Sequence, residues 1–263
     1  MAAATTPLFL SRLLLNPRSR QVMSEIAHPY EMHRTLMRAF PKATDDTKSK
    51  ARDEFGVLFR AEVDEGRGVA RVYVQSRIEP DWSFLDGLTD YLCTDTGMPE
   101  HGHKDIMPAY RKIENGQVLR FRLRANPTKR IAKDDDAMKG KRVELSREDE
   151  QIDWLIRKGK ATGEGVPGGF DLLMKKVRDL KREMRLVPCV NVCCEGKQTG
   201  RKRDEARGHA TTHLAVLFEG LLRVTDTNAL IETVVRGIGT GKAFGFGLLS
   251  VAPVNTSGSE KAM

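Results

Sequence analysis

The chain has 263 residues, 40% of them hydrophobic, which is enough to bury the core of one large domain or of two ordinary ones. Its 44 lysines and arginines outnumber 36 acidic residues and give a formal charge of +8, which favours a polyanionic partner such as nucleic acid. No apolar stretch approaches the length of a membrane span, and the four cysteines are too few and too clustered for a disulfide-stapled secreted domain. We therefore expect a folded cytoplasmic protein with no membrane partner.

The first half of the chain alternates strand and helix patterns. The apolar run from Pro7 to Leu15 predicts a buried strand, and a helical region follows in which Pro29 stands at a common helix start. The later patterns are a strand at residues 57–63, a strand at 69–76, a short helical piece at 81–83, a polar loop around His101 and His103, and a strand at 118–126. The order βαββαβ is the ferredoxin-like arrangement.

The second half shows a similar but less regular succession. Its predicted elements are helices at Ser146–Lys158 and Phe170–Arg185, strands at Leu186–Cys194 and His213–Val224, a helix at Asp226–Arg236, and a last strand at Phe244–Val251. We therefore expect an α+β fold of two tandem ferredoxin-like domains, at residues 7–126 and 142–254. The charged segment 127–141 is predicted to be a linker or flexible loop, and residues 1–6 and 255–263 to be loose tails.

The helix after Pro29 carries side chains that could perform chemistry. Tyr30 and His33 are three residues apart and share one helix surface, with Arg34 and Arg38 on the adjoining solvent side, so a phosphate could sit between them. A histidine can transfer a proton in either direction near neutral pH. RNA supplies its own nucleophile, the 2′-hydroxyl, so a helix with His, Tyr and Arg could cut it without a metal. The alternative is that Tyr30 and His33 are boundary residues of an amphipathic helix.

The strand VLRFRLRAN predicts one basic face. Its period of two places Arg120, Arg122 and Arg124 on one side and apolar residues on the other. Three arginines so spaced repel one another unless an anion lies across them, although pairing with acidic residues elsewhere is an alternative. The other basic residues predicted to contact RNA are Lys129, Arg130, Lys175, Lys176, Arg182, Arg201, Lys202 and Arg203.

The segment RGIGTGKAFGFGLL is dense in glycine. Gly237, Gly239, Gly241, Gly245 and Gly247 surround Lys242 and permit close backbone approach to a polyanion. The spacing matches neither a Walker A loop nor a dinucleotide fingerprint, so a role with nucleoside triphosphates or NAD is not expected. The alternative is a tight connection between a helix and a glycine-bearing strand.

A cluster of cysteine and histidine indicates a competing function. Cys189 and Cys193 are followed by His209 and His213 with a spacing near that of a zinc finger. Both pairs lie in strand-like sequence, whereas a finger requires a helix at its histidines. Whether these four residues bind a metal is left open, with small core cysteines as the alternative.

Three segments together identify a resemblance: HPYEMHRTLMRAF near the start, LRFRLRANPTKR in the middle, and AVLFEGLLRV followed by RGIGTGKAFGFGLLSVAP at the end. The chain resembles the CasE family, the CRISPR RNA endoribonucleases of type I-E systems, from about Pro7 to Pro253. Two Gly-hydrophobic-Gly units, 237–239 and 245–247, match the family's glycine-rich motif. His28 departs from the asparagine expected before the Pro-Tyr pair, and its role is left open.

The resemblance implies a fold of two ferredoxin-like domains and a metal-independent cut at the base of the CRISPR repeat hairpin. The products would be a 2′,3′-cyclic phosphate and a 5′-hydroxyl, and the mature guide RNA would stay bound in the Cascade complex with its other subunits. It also implies that His33 is catalytic, that Tyr30 is its partner at the scissile phosphate, and that Arg38 occupies a basic position. No cofactor or metal is implied. The alternatives are a non-catalytic structural RNA-binding subunit and a zinc-dependent nucleic-acid module.

Overall fold

The computed structural model describes residues 6–41, 54–64, 66–94, 96–131, 141–160, 167–178, 183–201 and 210–254. The helices of this part of the chain are α1 (Arg20–Ala27), α2 (Pro29–Leu36), α3 (Met107–Tyr110), α4 (Glu148–Gly159) and α5 (Thr227–Arg236). Its strands are β1 (Phe9–Leu15), β2 (Leu58–Asp64), β3 (Val69–Ser76), β4 (His101–Asp105), β5 (Val118–Ala125), β6 (Thr128–Arg130), β7 (Arg142–Glu144), β8 (Phe170–Leu172), β9 (Met174–Arg178), β10 (Met184–Pro188), β11 (Val190–Arg201), β12 (Ala210–Val224) and β13 (Leu249–Pro253).

The N-terminal sheet has the strand order β2-β3-β1-β4, with every pairing antiparallel. This is the ferredoxin-like order predicted from the sequence, but its fourth strand is His101–Asp105, where the sequence pattern predicts a polar loop. The strand lies at the sheet edge and is mostly exposed, so it has no apolar alternation by which to recognise it.

The C-terminal sheet has the order β11-β12-β5-β13, with β8 also paired to β12. This is the same ferredoxin-like order, so the predicted fold class is confirmed. Strand β5 was expected to complete the N-terminal sheet, and that assignment is wrong because β5 lies between β12 and β13. The chain therefore passes from one sheet to the other between β4 and β5.

Two further predictions are corrected around the C-terminal sheet. The predicted linker 127–141 begins in a hairpin, since β6 pairs with β7, while residues 132–140 lie outside the described residues. The predicted helix Phe170–Arg185 is instead strands β8, β9 and the start of β10. Its apolar residues fit helical spacing, but Phe170 and Leu172 alternate with an exposed Asp171 and are buried against β12. Non-local strand pairing has overridden the local pattern.

Each sheet buries its own core, and the two meet at a third apolar cluster. Fully buried Met32 and Phe59 belong to the N-terminal core, while Leu123 and Phe218 belong to the C-terminal core. Between them lies a cluster of Ala215, Phe244 and Phe246, against which Tyr30 packs.

Two buried polar side chains of the N-terminal sheet donate hydrogen bonds to backbone carbonyls of the C-terminal half. Arg60 donates from Nη1 to the carbonyl of Leu248 at 3.2 Å, and the Gln75 amide donates to the carbonyl of Val234 at 2.9 Å. Removing a partner from such a buried bond costs about 1–3 kcal/mol. These bonds fix helix α5 and the glycine-rich loop against β2 and β3.

Candidate active site

Helix α2 places Tyr30 and His33 beside the junction of the two sheets. It begins at Pro29, as predicted, and its Met32 and Leu36 are fully buried, which fixes its rotation. His33 is 8% exposed and stacks on the Phe59 ring with the centroids 6.2 Å apart. The ring of Tyr30 is half-buried, with its centroid 6.2 Å from that of His33. The predicted proximity of the two side chains is therefore confirmed.

The glycine-rich loop packs directly against this helix. Its five glycines, Gly237, Gly239, Gly241, Gly245 and Gly247, all have positive φ. A Cβ on Gly237 would lie 2.7 Å from Cδ1 of Leu58, and one on Gly241 would lie 2.9 Å from the Phe246 ring. The glycines thus serve a tight connection between α5 and β13, as the alternative predicted, but all five precede the strand, which bears no glycine itself. The same compact loop brings the Phe244 ring to 5.9 Å from that of Tyr30.

A cleft of about 710 Å³ opens between the loop and the N-terminal sheet. His33, Met37 and Leu58 line it from one side, and loop residues line it from the other. The cations on its wall are Arg77, Arg236 and Lys242. The cleft therefore combines a buried imidazole with three positive side chains, a composition suited to binding a phosphodiester and transferring protons at it.

The other basic residues of the predicted catalytic helix are engaged elsewhere. Arg34 is exposed and pairs with Glu31 at 3.0 Å. The Arg38 guanidinium lies 4.3 Å from the centre of the Phe84 ring. Neither residue lines the cleft. His28 is also exposed, and its ring contacts the Ser24 carbonyl at 3.0 Å.

Strand β5 has the predicted alternation, with Phe121, Leu123 and Ala125 buried. The inference that its three arginines need an external anion is wrong for two of them. Arg122 pairs with Glu62 at 2.9 Å and with Glu219, and Arg124 pairs with Glu195. Glu219 is the cross-strand neighbour of Arg122, whereas Glu62 lies on β2 and Glu195 on β11, so pairing with acidic residues elsewhere occurs as the alternative predicted. Arg120 is exposed and has no ion pair within the described part of the chain.

The pairing of Arg122 also affects Glu62. Burial acts to raise the pKa of the Glu62 carboxyl, but the adjacent Arg60 and Arg122 outweigh it and hold the pKa below its ordinary value. Glu62 is therefore a carboxylate shared by two arginines of different sheets.

The remaining predicted RNA-binding residues are dispersed. Lys129 pairs with Glu150 at 2.9 Å, and Arg130, Lys175 and Lys176 are exposed on hairpin strands. Arg182, Lys202 and Arg203, and the side chain of Arg201, lie outside the described residues.

The zinc-finger hypothesis conflicts with the strand register. Cys193 lies opposite Leu217 in the β11–β12 pair, four positions from His213, or about 13 Å at ~3.3 Å per residue. Two ligands of one tetrahedral zinc cannot be so far apart. His213 instead accepts a hydrogen bond at Nδ1 from the Asn126 amide and packs on Phe244, and burial lowers its pKa. His209 lies outside the described residues.

Sequence reasoning missed Arg77 and Phe244 as site residues. Arg77 directly follows a strand, and Phe244 stands within the glycine-rich segment, where only the glycines and Lys242 were singled out. No local pattern marks either one, because the cleft forms only when β3, α2 and the loop meet.

No helix in the described ranges is long and apolar enough to cross a membrane. The profile of a family described as "CRISPR associated protein" matches residues 8–253. The CRISPR-associated endoribonuclease Cse3 of Thermus thermophilus is 38% identical over 251 residues, which cover 94% of this chain and 100% of that protein. The Cascade subunit CasE of Escherichia coli is 36% identical over 150 residues, covering 54% of this chain and 62% of CasE.

Solved structures of CRISPR-associated endoribonucleases are also similar to this chain. Thermus thermophilus Cse3 bound to an RNA representing a pre-cleavage complex has a TM-score of 0.66 and 36% identity, covering 94% of this chain and 100% of that one. The Cas6e crystal structure from Escherichia coli K-12 has a TM-score of 0.55 and 25% identity, with the same coverage. The profile spans nearly the whole chain, and both sheets of the fold are matched. This chain belongs to the family of CRISPR-associated proteins, within the Cse3/CasE group that its three sequence segments indicated.

Proposed function

We propose that this chain is a CRISPR endoribonuclease that cuts precursor repeat RNA at the base of the repeat hairpin. The observation that carries the proposal is the cleft that holds buried His33 beside Tyr30, with Arg77, Arg236 and Lys242 on its wall. The similarity to Cse3, over the full length of that endoribonuclease, supports the same activity.

The proposed reaction needs no metal. The 2′-hydroxyl upstream of the scissile phosphate loses its proton to a base and attacks phosphorus, so that the new O2′–P bond replaces the P–O5′ bond. An acid protonates the departing 5′-oxygen. The products are a 2′,3′-cyclic phosphate and a 5′-hydroxyl. His33 and Tyr30 share the roles of base and acid, and the cations of the cleft stabilise charge on the phosphorane-like transition state.

We further propose that the protein keeps its product. The relative CasE is a Cascade subunit, and solved surveillance complexes share the fold. The mature guide RNA and other Cascade subunits are thus the expected partners. Because the substrate is a cellular transcript, we place the protein in the cytoplasm.

The test is cleavage of the cognate repeat RNA in the presence of EDTA under single-turnover conditions. The wild-type protein is expected to cut, and His33→Ala is expected to lose cutting by at least about 10³-fold while retaining binding. A substrate with a 2′-deoxy group just upstream of the scissile phosphate should bind and remain intact. Cleavage of that substrate would refute the proposed nucleophile, and tight binding without any product from wild-type protein would establish a structural subunit instead.

A further inference from the structure

Arg77 stands apart from the other arginines near the candidate active site. It directly follows strand β3, and its backbone N–H donates to the carbonyl of Phe55 at 2.8 Å, which fixes its place at the rim of the cleft. Its side chain lies against Gly56, where a Cβ would come within 3.0 Å of both Cγ and Nε of Arg77. The absence of a side chain at Gly56 thus provides the space in which Arg77 lies.

The Arg77 guanidinium has no acidic partner within the described ranges of the chain. Its Nε is buried and makes no hydrogen bond to any described group. Arg34, by contrast, pairs with Glu31, and Arg38 lies over the Phe84 ring. Arg77 thus adds to the cleft a positive charge that no described carboxylate neutralises, which suits the position to an anion that enters the cleft.

The geometry of a guanidinium fits a phosphate. Its planar fork can donate two parallel hydrogen bonds to two oxygens of one phosphate, and it stays charged at any physiological pH. In the same cleft, His33 is the group that can exchange protons with the reacting oxygens.

We propose that Arg77 is a catalytic residue that contacts the non-bridging oxygens of the scissile phosphate and stabilises their charge in the transition state. The inference rests on the proposed endoribonuclease function and assigns to Arg77, the residue after β3, the phosphate contact that the sequence assigned to Arg34 and Arg38. Arg77 moves no proton and forms no bond to phosphorus.

The test compares Arg77→Met, Arg77→Lys and wild-type protein in single-turnover cleavage of the repeat RNA. Arg77→Met is expected to cut about 100-fold more slowly, the usual effect of removing one donor to a developing oxyanion. Its affinity for the 2′-deoxy substrate should change by less than about threefold. The cleavage rate of Arg77→Lys should lie between those of Arg77→Met and wild type, since an ammonium keeps the charge but cannot donate the two parallel hydrogen bonds of a guanidinium. The matched control is Arg67→Met, whose side chain is 70% exposed and does not line this cleft.

Chemical rescue separates a catalytic role from a structural one. Millimolar guanidinium should raise the cleavage rate of Arg77→Ala by at least about tenfold. It should leave the cleavage rate of His33→Ala unchanged. Thermal unfolding of each variant should stay close to that of wild type. An active wild type with an unimpaired Arg77→Met would overturn this assignment alone, as would loss of rate without rescue in a folded Arg77→Ala. A wild-type protein that binds but never cuts would overturn both proposals.

Discussion

At the scale of single residues, the two side chains predicted to be catalytic differ in their surroundings. His33 is 8% exposed and stacked on Phe59, so its ring orientation is set by the core. Tyr30 is half-buried against Phe244, so its ring is held by the glycine-rich loop of the other half of the chain. The pair is thus assembled across the junction of the two sheets, and the loop positions one of its members.

The hydroxyl of Tyr30 can be tested without disturbing that packing. Tyr30→Phe keeps the ring against Phe244 and removes only the oxygen. We expect single-turnover cleavage to slow by about 100-fold, as is typical when one member of an acid-base pair is removed, with an unchanged unfolding temperature. Tyr73→Phe, on strand β3 and outside the cleft, is the matched control and should cut at the wild-type rate. Equal rates for the two variants would show that the Tyr30 hydroxyl takes no part in proton transfer.

At the scale of elements, the course of the glycine-rich loop is set by contacts within the protein. Gly237 ends helix α5 with φ of 73°, and its N–H donates to the Thr233 carbonyl at 2.8 Å. The loop then closes on itself, since Ile238 donates to the Gly247 carbonyl at 3.0 Å. Its backbone course is therefore set before RNA binds.

The close contacts around Gly237 predict that alanine lowers the unfolding free energy more at this position than at Gly68. Gly237→Ala would place a Cβ 2.7 Å from Leu58 Cδ1 at a positive φ, so we expect unfolding free energy to fall by about 2–4 kcal/mol. Gly68→Ala is the control, because φ there is 60° and no atom of the described residues lies within 4 Å of the position of the added Cβ. It should cost only the backbone strain of about 1 kcal/mol. Urea denaturation measures both, and equal losses would contradict the steric explanation.

At the scale of the whole molecule, charged side chains join the two sheets. Arg60 of β2 is 5% exposed and pairs with Glu62 at 2.7 Å, and Glu62 also pairs with Arg122 of β5. Arg122 in turn pairs with Glu219 of β12. Because Glu62 offsets the charge of buried Arg60, its ionisation should support the junction that holds the cleft in shape.

This network predicts a pH dependence. The pKa of Glu62 is lower in the folded protein than its ordinary value of 4.5, so its contribution is full above that value and is lost as the pH falls through the lowered pKa. Glu62→Gln should therefore reduce unfolding free energy at pH 7 by about 1–3 kcal/mol, and the gap to wild type should narrow below about pH 4. Glu232→Gln, which removes a half-exposed pair with Arg236, should change stability by less than about 0.5 kcal/mol. If the difference in unfolding free energy between Glu62→Gln and wild type did not change with pH, the role of Glu62 ionisation would be refuted.

Local patterns by themselves determined much of this protein. An apolar run identified β1, a strand-like run identified β3 and alternation identified β5, and helical spacing after Pro29 identified α2 with Tyr30 and His33 on one surface. The three sequence segments also indicated the family. These features could be predicted because strand and helix periods and side-chain order are properties of contiguous residues.

Only the tertiary structure decided which parts meet. Strand β5 pairs with β12 and β13, residues 170–178 form strands β8 and β9 in place of a helix, and Glu62 and Glu219 take up Arg122. Arg77 reaches the cleft with His33 because β3, α2 and the glycine-rich loop converge there. Pairings between distant segments depend on which contacts bury the most apolar surface and satisfy the most polar groups. The periodicity of a single segment does not specify its pairing partner.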